Sequence, residues 1–141
     1  MHAVHLDDSD LERLREAEAV IVTCPRSNEW VGGGMPRVSR FYAAKVPVAI
    51  GTDSLASAPT LNLFDELAEL RRIAPDVSAA VFLESATRTG AEALGFGRTA
   101  GTIARGKRAS FVAVDIPSGV GDVEEYLVSG VPASAIHRVS G

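Results

Sequence analysis

The sequence predicts an α/β fold built on parallel strands, and three observations carry that reading. Short apolar runs of strand length alternate with amphipathic stretches of helix length. The runs at 19–24 and 46–51 are almost continuously apolar, as strands covered on both faces are. Polar residues follow the ends of these runs, where parallel folds gather their ligand chemistry.

The elements follow in order. "HAVHL" (2–6) reads as the end of a strand. "SDLERLREAE" (9–18) reads as a helix that Ser9 caps, with Glu12 reaching back to complete a capping box. "AVIVTC" (19–24) is β-rich and too short for a helix, hence a buried strand. "PRSNEWVGGGMP" (25–36) is dense in turn formers and reads as a loop. "PRVSRFYAAK" (36–45) is a helix with Pro36 at its first position, and "VPVAIG" (46–51) is the next strand. In "TLNLFDELAELRRIA" (60–74), Leu63, Leu67, Leu70 and Ala74 make one helical face. "SAAVFLESAT" and "TGAEALG" are two further helical pieces, the second stopped by Gly95. "ASFVAVDI" (109–116) is a strand, "DVEEYLVSG" a short helix, and "IHRVS" a last extended piece.

With 141 residues, 46% hydrophobic and 23% charged, the chain suits one small globular domain and not a disordered one. The net charge of −4, with no basic stripe interleaved with aromatics, argues against nucleic acid. No apolar run approaches the roughly 18 residues a membrane span needs. The start "MHAVHLDDSD" lacks a signal peptide's basic and apolar segments. The single cysteine, Cys24, cannot form an internal disulfide, so a reducing, cytoplasmic setting is expected.

The polar strand ends hold the candidate chemistry. Asp53, in "VAIGTDSLAS", is a lone carboxylate at the mouth of an apolar strand. It can ligate a metal, take a proton from water, or cap its own turn. His2 and His5 are spaced so that a strand would send them to opposite faces, which keeps them from chelating one ion together. Cys24 reads as a small buried hydrophobe. Arg26 either binds an anion or pins the loop through carbonyls. Ser27 and Ser54 would be nucleophiles only beside an arranged base, and no nucleophile elbow is present. Gly32, Gly33 and Gly34 are followed by no Lys-Ser/Thr, so they are not a phosphate loop. Trp30 is a lid contact or a packing anchor.

Five stretches in order, "HAVHLDDSDLERL", "VTCPRSN", "VPVAIGTDSLAS", "LNLFDELAEL" and "SATRTGAEALGFGRTAGTIARGKRASFVAVD", resemble the metal-dependent amidohydrolase superfamily. The nearest branch is similar to the cytosine-deaminase and chlorohydrolase-like group, with its adenosine-type and aminofutalosine-type deaminases. The resemblance implies the C-terminal part of a (β/α)8 barrel, about strands six to eight, in residues 1–100. Residues 101–141 would be the return into a small β-sandwich, with Ser110 where the family usually has Asp. It aligns His2 with the sixth-strand histidine that contacts the attacking water or substrate. It aligns Asp53 with the eighth-strand aspartate that binds metal and takes the water's proton. Arg26, Ser27, Asn28, Trp30 and Ser54 would then touch substrate. The implied cofactor is a divalent metal, zinc with iron as the alternative.

The family's H-x-H pair, fifth-strand histidine and proton-moving glutamate lie outside the matching stretches. The expectation is therefore a C-terminal portion of an enzyme that hydrolyses C–N or C–Cl bonds, with little activity by itself, or else a non-catalytic module. The partners implied are a small-molecule substrate and either a second copy or a separately encoded N-terminal part. No nucleic acid and no membrane are expected. On this reading Val20, Val22, Val48 or Ile50, facing a barrel interior, would meet water.

Overall fold

The computed structural model describes residues 2–140. Helix α1 (Asp8–Glu16) leads into strand β1 (Ile21–Thr23), helix α2 (Pro25–Trp30), helix α3 (Val38–Ala43) and strand β2 (Val48–Ile50). β1 and β2 pair in parallel, Ile21 opposite Val48, Val22 opposite Ala49 and Thr23 opposite Ile50. Parallel neighbours need a crossover, which α2 and α3 provide. Helix α4 (Leu63–Ile73), helix α5 (Ala79–Glu84), a π-helical segment (Ser85–Thr89) and helix α6 (Gly90–Ala93) follow. Strand β3 (Ser110–Val114), helix α7 (Val123–Leu127), a 3-10 turn (Ala133–Ala135) and strand β4 (Ile136–Ser140) end the described chain. β3 and β4 pair antiparallel in a sheet separate from the parallel pair.

The core lies between the parallel pair and its helices. Leu11 of α1, Val38 and Phe41 of α3, Ile21, Val48, Leu67 and Leu70 of α4, and Phe82 of α5 form one buried cluster. The Tyr42 and Phe82 rings meet edge to face at 5.8 Å between centroids, the arrangement their quadrupoles favour. Val48 and Ile50 are buried and do not meet water. All three residues of β2 are buried, Ala49 included, and Val48 and Ile50 lie opposite the buried Ile21 and Thr23. Val20 and Val22 alone of the four stay half-exposed.

Four local expectations change. Residues 2–6 form no strand; Val4 and His5 make a turn, although the His2 N–H donates to the Val22 carbonyl at 2.9 Å, beside β1. Helix α1 is capped by Asp7 and not Ser9. The Asp7 carboxylate accepts from the Asp10 N–H at 2.9 Å and Asp10 answers at the Asp7 N–H, so an Asp–Asp pair makes the box. The backbone N–H of Asp10, then the Ser9 hydroxyl, hold the Asp7 carboxyl below its ordinary range. "PRSNEW" is a helix and not a loop. The two helical pieces after residue 78 run together through the π-helical turn, and Gly95, at φ +76, lies just beyond the end of α6.

Candidate functional site

The site forms where β1 and β2 end side by side. The Gly51 N–H donates to the Thr23 carbonyl at 2.9 Å, extending the ladder one step past β2. A Cβ at Gly51 would lie 3.1 Å from the Cys24 sulfur, so any larger residue there would press the two strand exits apart by a few tenths of an ångström. Two residues on, Asp53 takes φ +60, a left-handed conformation that Asp tolerates better than most residues. That bend turns its carboxylate toward the start of α2.

Helix α2 begins directly after β1, with Pro25 at its first position. Ser27 and Asn28 of this helix reach the site. The Ser27 hydroxyl donates to Asp53 Oδ2 at 2.8 Å, and the Ser57 hydroxyl donates to the same oxygen at 2.9 Å. The two hydroxyl oxygens are themselves 2.9 Å apart. With one proton each, they make two hydrogen bonds at a time within this triangle. Asn28 Oδ1 lies 2.6 Å from His2 Nδ1. With the amide oxygen accepting, this bond is made by the His2 tautomer protonated at Nδ1. His2 Nε2 then faces Asp53 Oδ2 at 3.7 Å. A pocket of about 390 Å³ opens over this group, lined by His2, His5, Ser27, Asn28, Val31 and Asp53 among others.

The electrostatics follow from these contacts. The Ser27 hydroxyl, then that of Ser57, hold the Asp53 carboxyl below its ordinary range; partial burial opposes them, and His2 adds to the lowering. Asp53 is therefore ionised at neutral pH. Burial pushes the Cys24 thiol up, and the Asp53 and Glu66 carboxylates push it further, so Cys24 stays protonated and packs as a small apolar group. An ionised carboxylate beside an imidazole nitrogen can hold a water in the pocket and take its proton.

The structure thus brings His2, Ser27, Asn28 and Asp53 together, and leaves Arg26, Trp30 and Ser54 apart. Arg26 turns to the first turn of α4, donating to Thr60 Oγ1 at 3.0 Å and Asp65 Oδ2 at 3.2 Å. It pins one helix to another, because two carboxylates on α4 attract it away from the pocket. Trp30, at the end of α2, is 66% exposed and lines no part of the pocket. The exposed Ser54 accepts from the Ala56 N–H at 3.3 Å, closing its own turn. Ser57 was missed from sequence; its signal is the i+4 spacing from Asp53, which sets its hydroxyl one turn on.

His2 and Asp53 are metal-ligand types, and three or four protein ligands are usual for zinc. Among the described residues no group of three or more His, Cys, Asp or Glu side chains converges as a metal ion requires. The described residues therefore do not make a metal site by themselves.

Residues 1–137 match the model of the amidohydrolase family. The chain is 38% identical over 122 residues to a 5-methylthioadenosine/S-adenosylhomocysteine deaminase of Haloarcula marismortui, covering 82% of this chain and 28% of that protein. It is 33% identical to an aminodeoxyfutalosine deaminase of Nitratiruptor, covering 89% of this chain and 31% of the relative. Among solved structures it resembles a zinc-bound adenosine deaminase from Xanthomonas campestris, with a TM-score of 0.89 and 31% identity over 96% of this chain and 33% of that one. The chain spans about a third or less of the length of the relatives it matches.

Proposed function

The chain belongs to the amidohydrolase family, and from that premise we propose that its His2–Asp53 pair serves the hydrolysis of a C–N bond, the deamination of an amino-heterocycle of nucleoside type. The observation that carries this reading is the 3.7 Å approach of His2 Nε2 to Asp53 Oδ2 at the mouth of one pocket. Asp53 takes the proton of the attacking water. His2, fixed by Asn28, orients that water or the leaving group. Ser27 and Ser57 keep Asp53 ionised and aimed. The half-buried and buried groups at the pocket wall, Asn28 among them, touch the substrate. Residues 2–6, β1 and β2 stand for the sixth to eighth strand positions of the barrel, and residues 101–141 for the return into a small sandwich.

A metal in such a site, zinc or alternatively iron, would supply an activated water, and it would need donors besides His2 and Asp53. We therefore expect the 141-residue chain alone to show no turnover. The two-donor set also favours a second reading, a non-catalytic module. A chimera separates the two: these residues replace the matching segment of the Haloarcula relative, and ammonia release from 5-methylthioadenosine is measured. The proposal expects activity, lost by about a hundredfold to ten-thousandfold in Asp53→Asn, the scale of removing a proton acceptor. A folded, inactive chimera, or an Asp53→Asn chimera as active as its parent, selects the module.

A further inference from the structure

Helix α2 carries both Ser27 and Asn28, yet it lacks a cap of its own. Its N-cap residue, Cys24, makes no side-chain cap bond, and Pro25 has no N–H to offer. The N–H of Arg26 is left without a partner within the helix. It donates instead to Glu66 Oε2 at 3.1 Å, from forty residues away on α4. Glu66 is fully buried. Its other oxygen, Oε1, has no hydrogen-bond partner among the described residues; the nearest cation, Arg26 Nη1, stands off at 3.7 Å. A buried carboxylate with one orphaned oxygen costs stability. The helix it caps places the Asp53 and His2 partners one and two residues further on.

We propose that Glu66 is a positioning residue of the site: it caps α2 from α4 and so sets Ser27 against Asp53 and Asn28 against His2. This rests on reading His2 and Asp53 as the working pair, since only then is their placement functional. Burial raises the Glu66 carboxyl to about 7, against the pull of the Arg26 N–H and guanidinium.

The test uses the 141-residue chain and nuclear magnetic resonance, and needs no turnover. Glu66→Met fills the site but removes the acceptor; Glu66→Gln keeps an acceptor; Asp65→Asn alters the carboxylate that Arg26, Thr60 and Asn62 share and leaves the Arg26 N–H bond to Glu66 in place. In Glu66→Met, exchange of the Arg26 amide should quicken about tenfold or more, the scale of one charged hydrogen bond. The His2 Nδ1 and Asn28 side-chain signals should move with it, with the overall unfolding midpoint changed less. Glu66→Gln should restore both signals, and Asp65→Asn should leave them in place. Should Glu66→Met fail to fold, pH reads the same link without that variant. The Ser27 and Arg26 amide signals should titrate together near pH 7 in the parent and not in Glu66→Gln. The groups facing Glu66 are the Arg26 guanidinium, the Asp65 and Glu69 carboxylates and the Cys24 thiol, and Glu66→Gln leaves all four in place. A folded Glu66→Met with the His2 and Asn28 signals unmoved, a Glu66→Gln that does not restore them, or Ser27 and Arg26 amides that do not titrate together overturns the proposal. These readouts stand whether or not the deaminase chimera is active, so the two readings fail separately.

Discussion

Asp53 and Glu66 are two carboxylates in opposite environments, and their pH behaviour differs in sign. Glu66 is raised to about 7 from an ordinary 4.5, mainly by burial. The folded protein thus binds that proton more tightly than the unfolded chain, so this group's stabilisation is complete below the ordinary value and is lost as pH rises through about 7. Asp53 is lowered by its hydroxyl partners, so its contribution is present above the ordinary carboxylate range and lost as pH falls. Denaturant titrations between about pH 5 and 8 should show Glu66→Gln losing the decline with rising pH that the parent carries. A parent and variant with parallel profiles over that window would remove the buried-carboxylate account. The place of Asp53 just past a strand end was legible, because the apolar run 48–50 stops before it. The direction of Arg26 was not, because its partners lie on a helix that sequence cannot bring alongside. Glu66 did leave a sign: it sits three residues after Leu63 and four before Leu70, on the apolar face of its own helix.

At the scale of elements, helix α2 shows why the sequence reading stops short. "PRSNEW" is six residues of modest propensity without an N-terminal side-chain cap, and turn formers follow it. It is helical because tertiary partners complete it, Glu66 at its start and Asp53 and His2 along its length. Helix α4 needed no such help: its leucine stripe, the Asn62 cap on the Phe64 N–H and acidic residues in the first turn are all local. The division between packed and exposed elements predicts unequal costs. Phe82→Ala, at a fully buried ring that meets Tyr42 edge to face, should lower stability by about 3–5 kcal/mol. Phe111→Ala, on the exposed β3–β4 pair, should cost under about 1 kcal/mol. Chemical unfolding of the two variants checks this, and equal costs would place β3 in the core.

Across the whole molecule, the parallel pairing of β1 and β2 and most helices could be read from periodicity, while the strand expected at 2–6 does not form and the site's wiring could not be read. The family resemblance was legible over nearly the whole chain, and the match to residues 1–137 agrees with it. Among the described residues no helix is long and apolar enough to cross a membrane. Leu94, Phe96, Ile103 and Val112 are exposed around one groove of about 510 Å³, and we propose this gathered apolar surface as a place of association. Sedimentation should therefore show concentration-dependent self-association of the chain, or its capture by a separately supplied N-terminal part of an amidohydrolase. A compact monomer that neither binds an apolar dye nor takes up that part would count against it.

The account turns on His2 and Asp53 being a real but incomplete donor pair. Zinc titration of the 141-residue chain, followed by ammonia release from an amino-purine nucleoside, tests it most directly. The prediction is binding weaker than about 1 μM, under about 8 kcal/mol, against about 10–16 kcal/mol for complete structural zinc sites. That binding should be weakened further by Asp53→Asn, with no turnover. Sub-micromolar zinc binding together with zinc-dependent ammonia release by this chain alone would contradict it.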